Sequence, residues 1–289
     1  IALCAGRADY AFMIDADDLV EGHLDLSHLD APGYRVRFGP HNVYWRPALF
    51  SLEKEWAFRG AVHEYAVCLD GSQTINLEGD YNFIFRSLGN RGKDPLKFQR
   101  DIDVLLAEYE KDSNDPRTVF YLAQSYRDFG DVDSAITWYR RRVEMPGWVE
   151  ENFIAALELA KLLAKQNNDS SQVVQAFEDA WRVRPSRAEA LVELAKFHRE
   201  NKNWFDSYVA AFRACDIPFP ADDLLFVDAS AYHWRALDEF AIAAGQLGHH
   251  DEAIVAGSRL LGSPLLPFHQ RERVLWNQTY SMKCLEFPQ

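Results

Sequence analysis

Residues 115–147 read DPRTVFYLAQSYRDFGDVDSAITWYRRRVEMPG, and the spacing within this stretch decides how most of the chain is read. Apolar and small side chains recur as Val119, Leu122, Ala123 and Tyr126, then Gly130, then Ala135 and Tyr139, with Pro146 near the close. Each group falls on one face of a helix with a period of about 3.6 residues. Gly130 lies between the groups, where the chain turns. Two antiparallel helices that cross closely need small residues at the crossing, and Ala123 and Ala135 occupy those places.

Looser copies occupy the rest of the chain. Residues 153–185 carry Ala156, Leu159, Ala160 and Leu163, then Ala176, Phe177, Ala180 and Trp181, around a longer loop at 166–172. Residues 188–218 carry Leu191, Leu194, Ala195 and His198, then Ser207, Ala211 and Ala214. Residues 234–264 carry Leu237, Phe240, Ala241 and Ala244, then Gly248, Ala253, Gly257 and Leu260. A last helix is expected over about 267–285 as a cap. The pattern resembles the tetratricopeptide repeat, with Val119 where Trp is commoner and Arg142 where Ala is commoner. A helix pair cannot bury its apolar face alone, so the copies are expected to stack into an all-α solenoid. Tryptophans 138, 148, 181, 204, 234 and 276 fall on these helices or their turns, where packing is the default role.

The region before residue 90 has a different rhythm. Tyr10 to Ile14 is a continuous apolar run, read as a strand buried on both faces that ends abruptly in carboxylates. Tyr34 to Phe38 alternates like a half-buried strand. Residues 42–50 and 56–58 are aromatic-rich strands, with Pro47 demoting the middle of the first to an edge or bend. Residues 65–69 and 73–77 flank Asp70-Gly71 and read as a hairpin. Asp94-Pro95 is a helix-start signal after the loop Asn90-Arg91-Gly92-Lys93.

Composition narrows the function classes. An apolar fraction of 48% over 289 residues is enough for a sizeable core. A net charge of -13 without a basic block argues against nucleic-acid binding and against an anionic membrane surface. No apolar stretch is long enough to span a bilayer. Cys4, Cys68, Cys215 and Cys284 lack metal-ligand spacing and read as reduced thiols of a cytoplasmic protein. The first residue is Ile1 and no basic segment precedes an apolar one there, so the chain is expected to begin inside a domain.

The chemistry-bearing candidates lie in the front region. Asp15-Ala16-Asp17-Asp18 places three carboxylates within four residues at a strand end. Like charges so close repel, and oxygen-only ligands suit Mg²⁺ or Mn²⁺; an acidic loop capping the next turn is the plainer alternative. In Trp56-Ala57-Phe58-Arg59-Gly60-Ala61-Val62-His63-Glu64-Tyr65 a carboxylate stands ready as a base and an imidazole as a metal or phosphate contact. A surface pair at a strand end is the plainer reading there.

Residues 8–18 resemble the metal-motif strand of inverting GT-A (family 2-like) glycosyltransferases, with Asp15 to Asp18 as the DXD motif. Arg46-Pro47-Ala48-Leu49-Phe50, the Arg59 to Glu64 segment, and Arg91 to Phe98 are similar to the segments downstream of that motif in a bacterial branch with C-terminal tetratricopeptide repeats. The resemblance implies an α/β fold class, the C-terminal part of a GT-A domain over 1–90, a bridge over 91–114 and repeats over 115–289. It implies transfer of a sugar from a nucleotide-diphosphate donor with Mn²⁺ or Mg²⁺, to a protein, peptide or glycan acceptor held by the repeats. Asp15, Asp17 and His63 would hold the metal, Asp15 and Arg59 the donor, and Glu64 or Asp18 would be the catalytic base. Most of that family's donor-binding half is missing ahead of Asp15, so an N-terminally truncated chain is expected. The alternative is a non-enzymatic tetratricopeptide module whose groove binds a protein partner and whose front region is a relic. A metal-dependent phosphohydrolase is the third class, without a nucleophile or second ligand cluster to support it.

Overall fold

The computed structural model describes residues 4, 6–86, 88, 94–166 and 169–286. Arg91, Gly92 and Lys93 of the expected bridge, and Asn167 and Asn168 of the expected long loop, lie outside the described residues. Contacts divide the chain into two compact units, Ile1–Glu151 with Asp223–Val227, and Asn152–Asp222 with Asp228–Gln289. All four cysteines are free thiols. Among the described residues no helix is long and apolar enough to cross a membrane.

The first unit holds a mixed sheet with strands β1 (Tyr10–Phe12), β2 (Leu19–Gly22), β3 (Gly33–Phe38), β4 (Asn42–Ser51), β7 (Ile75–Asn76) and β8 (Tyr81–Ile84). Its path is β1-β4-β3-β8-β2, with β7 beside β3. Strands β5 (Trp56–Arg59) and β6 (Tyr65–Cys68) form a separate antiparallel ribbon. The alternation of β3 decides the core. Tyr34, Val36 and Phe38 are buried and meet Leu49, Leu77, Tyr81 and Phe83. Arg35 and Arg37 point the other way, and each Nε donates to a carboxamide oxygen, Asn76 and Asn82, at 2.8 Å.

Three strand expectations are corrected. Tyr10 to Ile14 is not a strand buried on both faces. Only Tyr10–Phe12 is extended, it pairs antiparallel with β4, and Met13 and Ile14 are exposed. A continuous apolar run carries no information about which faces are covered, and here β1 ends the sheet path. Pro47 does not interrupt β4. Tyr34 faces Leu49 and Arg35 faces Pro47, so Ala48 is an extra residue in a bulge beside the proline. The Asp70-Gly71 turn forms, with Gly71 at φ 82°, but it does not join a hairpin. The segment after it runs parallel to β3 and buries Leu77 in the core, while β6 returns to β5. Burial of Leu77 outweighs the local turn preference.

Helices α1 (Lys97–Lys111), α2 (Pro116–Phe129) and α3 (Val132–Glu144) complete the unit. The Asp94-Pro95 signal is displaced slightly, since α1 begins at Lys97. Asp115 caps α2 by accepting from the backbone N–H of Arg117 and Thr118 at 3.1 Å each. Gly130 closes α2 in the left-handed conformation, φ 94°, which a residue with a Cβ avoids. Asp131 caps α3 through Ser134 N–H at 3.1 Å. Ala123 and Ala135 are fully buried, as the crossing requires. Residues 223–227 return to the same unit, with Trp45 N–H donating to the Leu224 carbonyl at 2.9 Å and the Phe226 ring meeting Tyr44 edge-on.

The second unit is helical: most of α4 (Val149–Lys165), then α5 (Ser170–Val183), α6 (Glu189–Glu200), α7 (Trp204–Cys215), α8 (Ala236–Gln246), α9 (His250–Gly262) and α10 (Phe268–Glu286). These match the expected copies and cap. A π-helical turn, Ala231–Arg235, leads into α8 and has no counterpart in the repeat pattern.

The buried crossing makes a direct prediction. Ala135→Leu forces extra volume where Ala135 has no exposure, and should destabilise the chain by about 1–3 kcal/mol. Urea unfolding followed by circular dichroism measures it, and an unchanged midpoint would mean the helices do not cross there.

Candidate functional site

The acidic run comes directly after β1, and the structure gives each carboxylate its own environment. Arg46 on β4 donates through Nη1 to Asp15 Oδ2 at 3.1 Å and through Nη2 to Asp18 Oδ2 at 3.2 Å. The same guanidinium lies over the Phe38 ring, 4.4 Å from its centroid. Asp17 Oδ2 accepts from Leu88 N–H at 2.8 Å, and its carbonyl accepts from Arg86 Nε at 2.9 Å. Burial pushes the Asp18 carboxyl above the usual range, Arg46 pulls it back, and Asp15 and Asp17 push it up again.

The second candidate segment is held elsewhere in the same unit. His63 adopts φ 53°, and its ring stacks on Tyr121 of α2 with centroids 4.2 Å apart. Its carbonyl accepts from Arg117 Nη2 at 2.9 Å. Arg117 also lies over the Tyr65 and Tyr121 rings, at 4.4 and 4.7 Å, and pairs with Glu151 at 3.1 Å. Burial pushes the Tyr121 phenol up. Glu64 and Arg59 are exposed, Arg59 standing opposite Tyr65 in the ribbon. Trp56 packs: its Nε1 donates to the Ser51 carbonyl at 3.0 Å and its ring meets Phe50 edge-on. Thus Asp15 and Asp18 come together on Arg46, while His63 joins Arg117 and Tyr121. Among the described residues no group of three or more His, Cys, Asp or Glu side chains is placed to hold a metal.

The second unit contains a cleft of about 130 Å³ that the sequence pattern did not reveal. Ala241, Ile242 and Gly245 of α8, Gly257 of α9, and Gln278 and Tyr280 of α10 are among its lining residues. At Asp238, another lining residue, Arg273 donates at 2.8 Å. Gln278 is buried and donates to the Ile254 carbonyl at 3.1 Å and to Ser258 Oγ at 2.6 Å, which holds its carboxamide in place. The exposed Trp276 and Tyr280 rings stack with centroids 6.2 Å apart. The signal available in the sequence was the pair Gly245 and Gly257 inside helices, where glycine is unfavourable unless space is needed. A Cβ on Gly257 would meet the Gln278 Cβ at 3.2 Å.

No protein-family model and no curated protein matches the chain. Solved structures do show similarity. One is MamA, 17% identical with a TM-score of 0.46, covering 69% of this chain and 99% of that one. Another is a tetratricopeptide repeat protein from Parabacteroides merdae, 13% identical with a TM-score of 0.46, covering 68% and 78%. A third is TTC0263, a thermophilic TPR protein in Thermus thermophilus, 16% identical with a TM-score of 0.42, covering 63% and 91%.

The glycosyltransferase expectation is corrected. The front region is a mixed sheet whose β1 runs antiparallel to its neighbour, not a strand embedded in a parallel α/β sheet. The repulsion within the acidic run is offset in part by the Arg46 guanidinium, which pairs with Asp15 and Asp18. The GT-A fold class, the enzyme assignment and the DXD metal-motif reading of Asp15 to Asp18 give way to a sheet region followed by tetratricopeptide-like repeats.

Asp18 provides a pH test. Its folded-state pKa is raised by burial, so its contribution to stability is present at low pH and is lost as pH rises through the folded value. Asp18→Asn should therefore make stability fall less between about pH 4 and pH 7 than it does in the wild type. Chemical unfolding midpoints across that range read it. Parallel wild-type and variant curves would show that Asp18 is not desolvated.

Proposed function

We propose that this chain is a non-enzymatic tetratricopeptide-like interaction module whose helical repeats hold a segment of a protein partner. The observation that carries the reading is the cleft between α8 and α10. Its volume of about 130 Å³ is small beside the roughly 300–1,000 Å³ of small-molecule pockets. It is close to the engineered cavity of about 150 Å³ that takes a benzene ring. That is the scale of one large apolar side chain from a peptide. The walls are Ala241, Ile242 and the bare backbone of two glycines, and the carboxamide of Gln278 offers polar contact. Trp276 and Tyr280 are the residue types that dominate binding energy at protein interfaces. The chain's net charge of -13 favours a partner with basic residues flanking that anchor, through faster encounter.

Display of random peptides against the protein, followed by calorimetric titration of the selected sequences, tests the proposal. Peptides with a single Leu or aromatic anchor are expected. Ala241→Phe occupies the cleft and should weaken them about tenfold or more, the effect of losing one buried anchor. Failure to select any such peptide, or equal affinity for the variant, would sink the reading.

A further inference from the structure

The cleft of α8, α9 and α10 carries its charge at one end. Asp238 lines it, and no Lys, Arg or His does so among the described residues. Arg273 meets Asp238 at 2.8 Å, and a Cβ on Gly245 would meet Ser281 Oγ at 3.4 Å, so α8 and α10 lie side by side and run the same way. Asp238 therefore marks one end and Gly245 the other, about 10 Å apart along α8. Ala241 and Ile242 stand between them. The Asp238 side chain is 10% exposed and its partner Arg273 38%. Arg273 Nη2 donates to Oδ2 and is held by Gln270 as well. Oδ1 accepts no hydrogen bond among the described residues, although a carboxylate has room for about four donors. The neighbouring Glu239 is already matched by Arg199 at 2.6 Å. Trp276 and Tyr280, stacked on each other, line the same cleft, and the face of such a ring attracts a cation.

Resting on the reading of the cleft as a peptide site, we propose that Asp238 decides which peptides enter. The partner segment carries a Lys or Arg side chain beside its apolar anchor, and that cation donates to Asp238 Oδ1. A nearly dry carboxylate oxygen without a donor gains about twice as much from a charged donor as from a neutral one. An anionic group at the same place would be repelled by Asp238. The spacing follows from α8. One turn, about 5–6 Å, separates Asp238 from Ala241 and Ile242, where the anchor sits. In an extended peptide, side chains two positions apart point the same way and stand about 7 Å apart. The basic residue is therefore two positions from the anchor, at the Asp238 end of the cleft. The net charge of -13 acts differently: at long range it speeds encounter with any basic segment. Asp238 acts at contact and distinguishes one basic segment from another.

Two small probes test the proposal on the full chain. In 4-phenylbutylamine the ring stands for the anchor and the ammonium for the basic group, and 4-phenylbutan-1-ol is its neutral counterpart. Both are titrated at about 0.15 M salt, where long-range attraction is screened, and followed by nuclear magnetic resonance shifts. The amine should bind about tenfold more tightly than the alcohol. Asp238→Asn should remove that difference while leaving the Kd of the alcohol within about twofold. A purely structural role for Asp238 would weaken both probes, and a general attraction to the acidic chain would survive the variant. Should Asp238→Asn not fold, the carboxyl carbon shift of Asp238 in the wild type decides: the amine should displace it and the alcohol should not. Equal affinity of the wild type for the two probes overturns the proposal, as does a preference for the amine that Asp238→Asn leaves intact; the apolar-anchor reading then still stands if Ala241→Phe weakens the alcohol. If neither probe binds, or Ala241→Phe leaves both unchanged, the cleft takes no apolar group and the peptide reading fails as well.

Discussion

Glu151 is 4% exposed and stands between two guanidiniums, Arg142 at 3.3 Å and Arg117 at 3.1 Å. A carboxylate so buried is tolerable only when paired and hydrogen-bonded, and removing one partner leaves an uncompensated charge. Much of the first unit is arranged around this need. Arg142 is fully buried in α3, at the place where the repeat pattern prefers alanine, and Gly147 passes so close that a Cβ there would lie 3.2 Å from its Nη2. Arg117 extends the same network to the His63 carbonyl and the rings of Tyr65 and Tyr121. Neighbouring Glu150 accepts the backbone N–H groups of Leu224 and Leu225 at 2.7 and 2.8 Å, which anchors the returning segment. Two adjacent acidic residues at the start of one helix thus tie together the ribbon, the first repeat and residues 223–227.

The second unit uses the same device. Arg187 is fully buried, meets Glu189 at 2.7 Å and lies over the Phe153 ring. Glu189 also accepts from Tyr232 at 2.7 Å and from the Asp228 N–H at 3.1 Å. Arg199 with Glu239 joins α6 to α8, Arg273 with Asp238 joins α10 to α8, and Arg235 with Glu193 ties the π-helical turn to α6. Hydrophobic burial supplies the stacking, while paired charges, costly to misplace, restrict which helix faces can meet. The π-helical turn at Ala231–Arg235 brings Tyr232 and Arg235 to these carboxylates.

The same need for paired charge explains why the acidic run invited a different reading. Three clustered carboxylates require positive charge, and along a sequence a divalent ion and a distant arginine are indistinguishable. Arg46 is 28 residues beyond Asp18, and only the pairing of β1 with β4 brings it across. The surroundings of His63 are equally invisible along the chain. Its ring lies flat on Tyr121, a helix residue 58 positions away. In both places the sequence displays the residue type, and only the fold supplies its partner.

What the sequence determined by itself was local and periodic. The helix pairs from Asp115 onward, the Gly130 turn, the small crossing residues and the alternation of Tyr34, Val36 and Phe38 all follow from side-chain periods of about 3.6 and 2, and these survive any tertiary context. Tertiary structure decided the rest: the bulge that accommodates Pro47, the parallel course of the segment after Gly71, the return of residues 223–227 to the sheet, and the cleft beside Gly257. Each depends on which distant side chain is buried against which. Burial energy is a property of the assembled neighbours rather than of the order in which residues are joined.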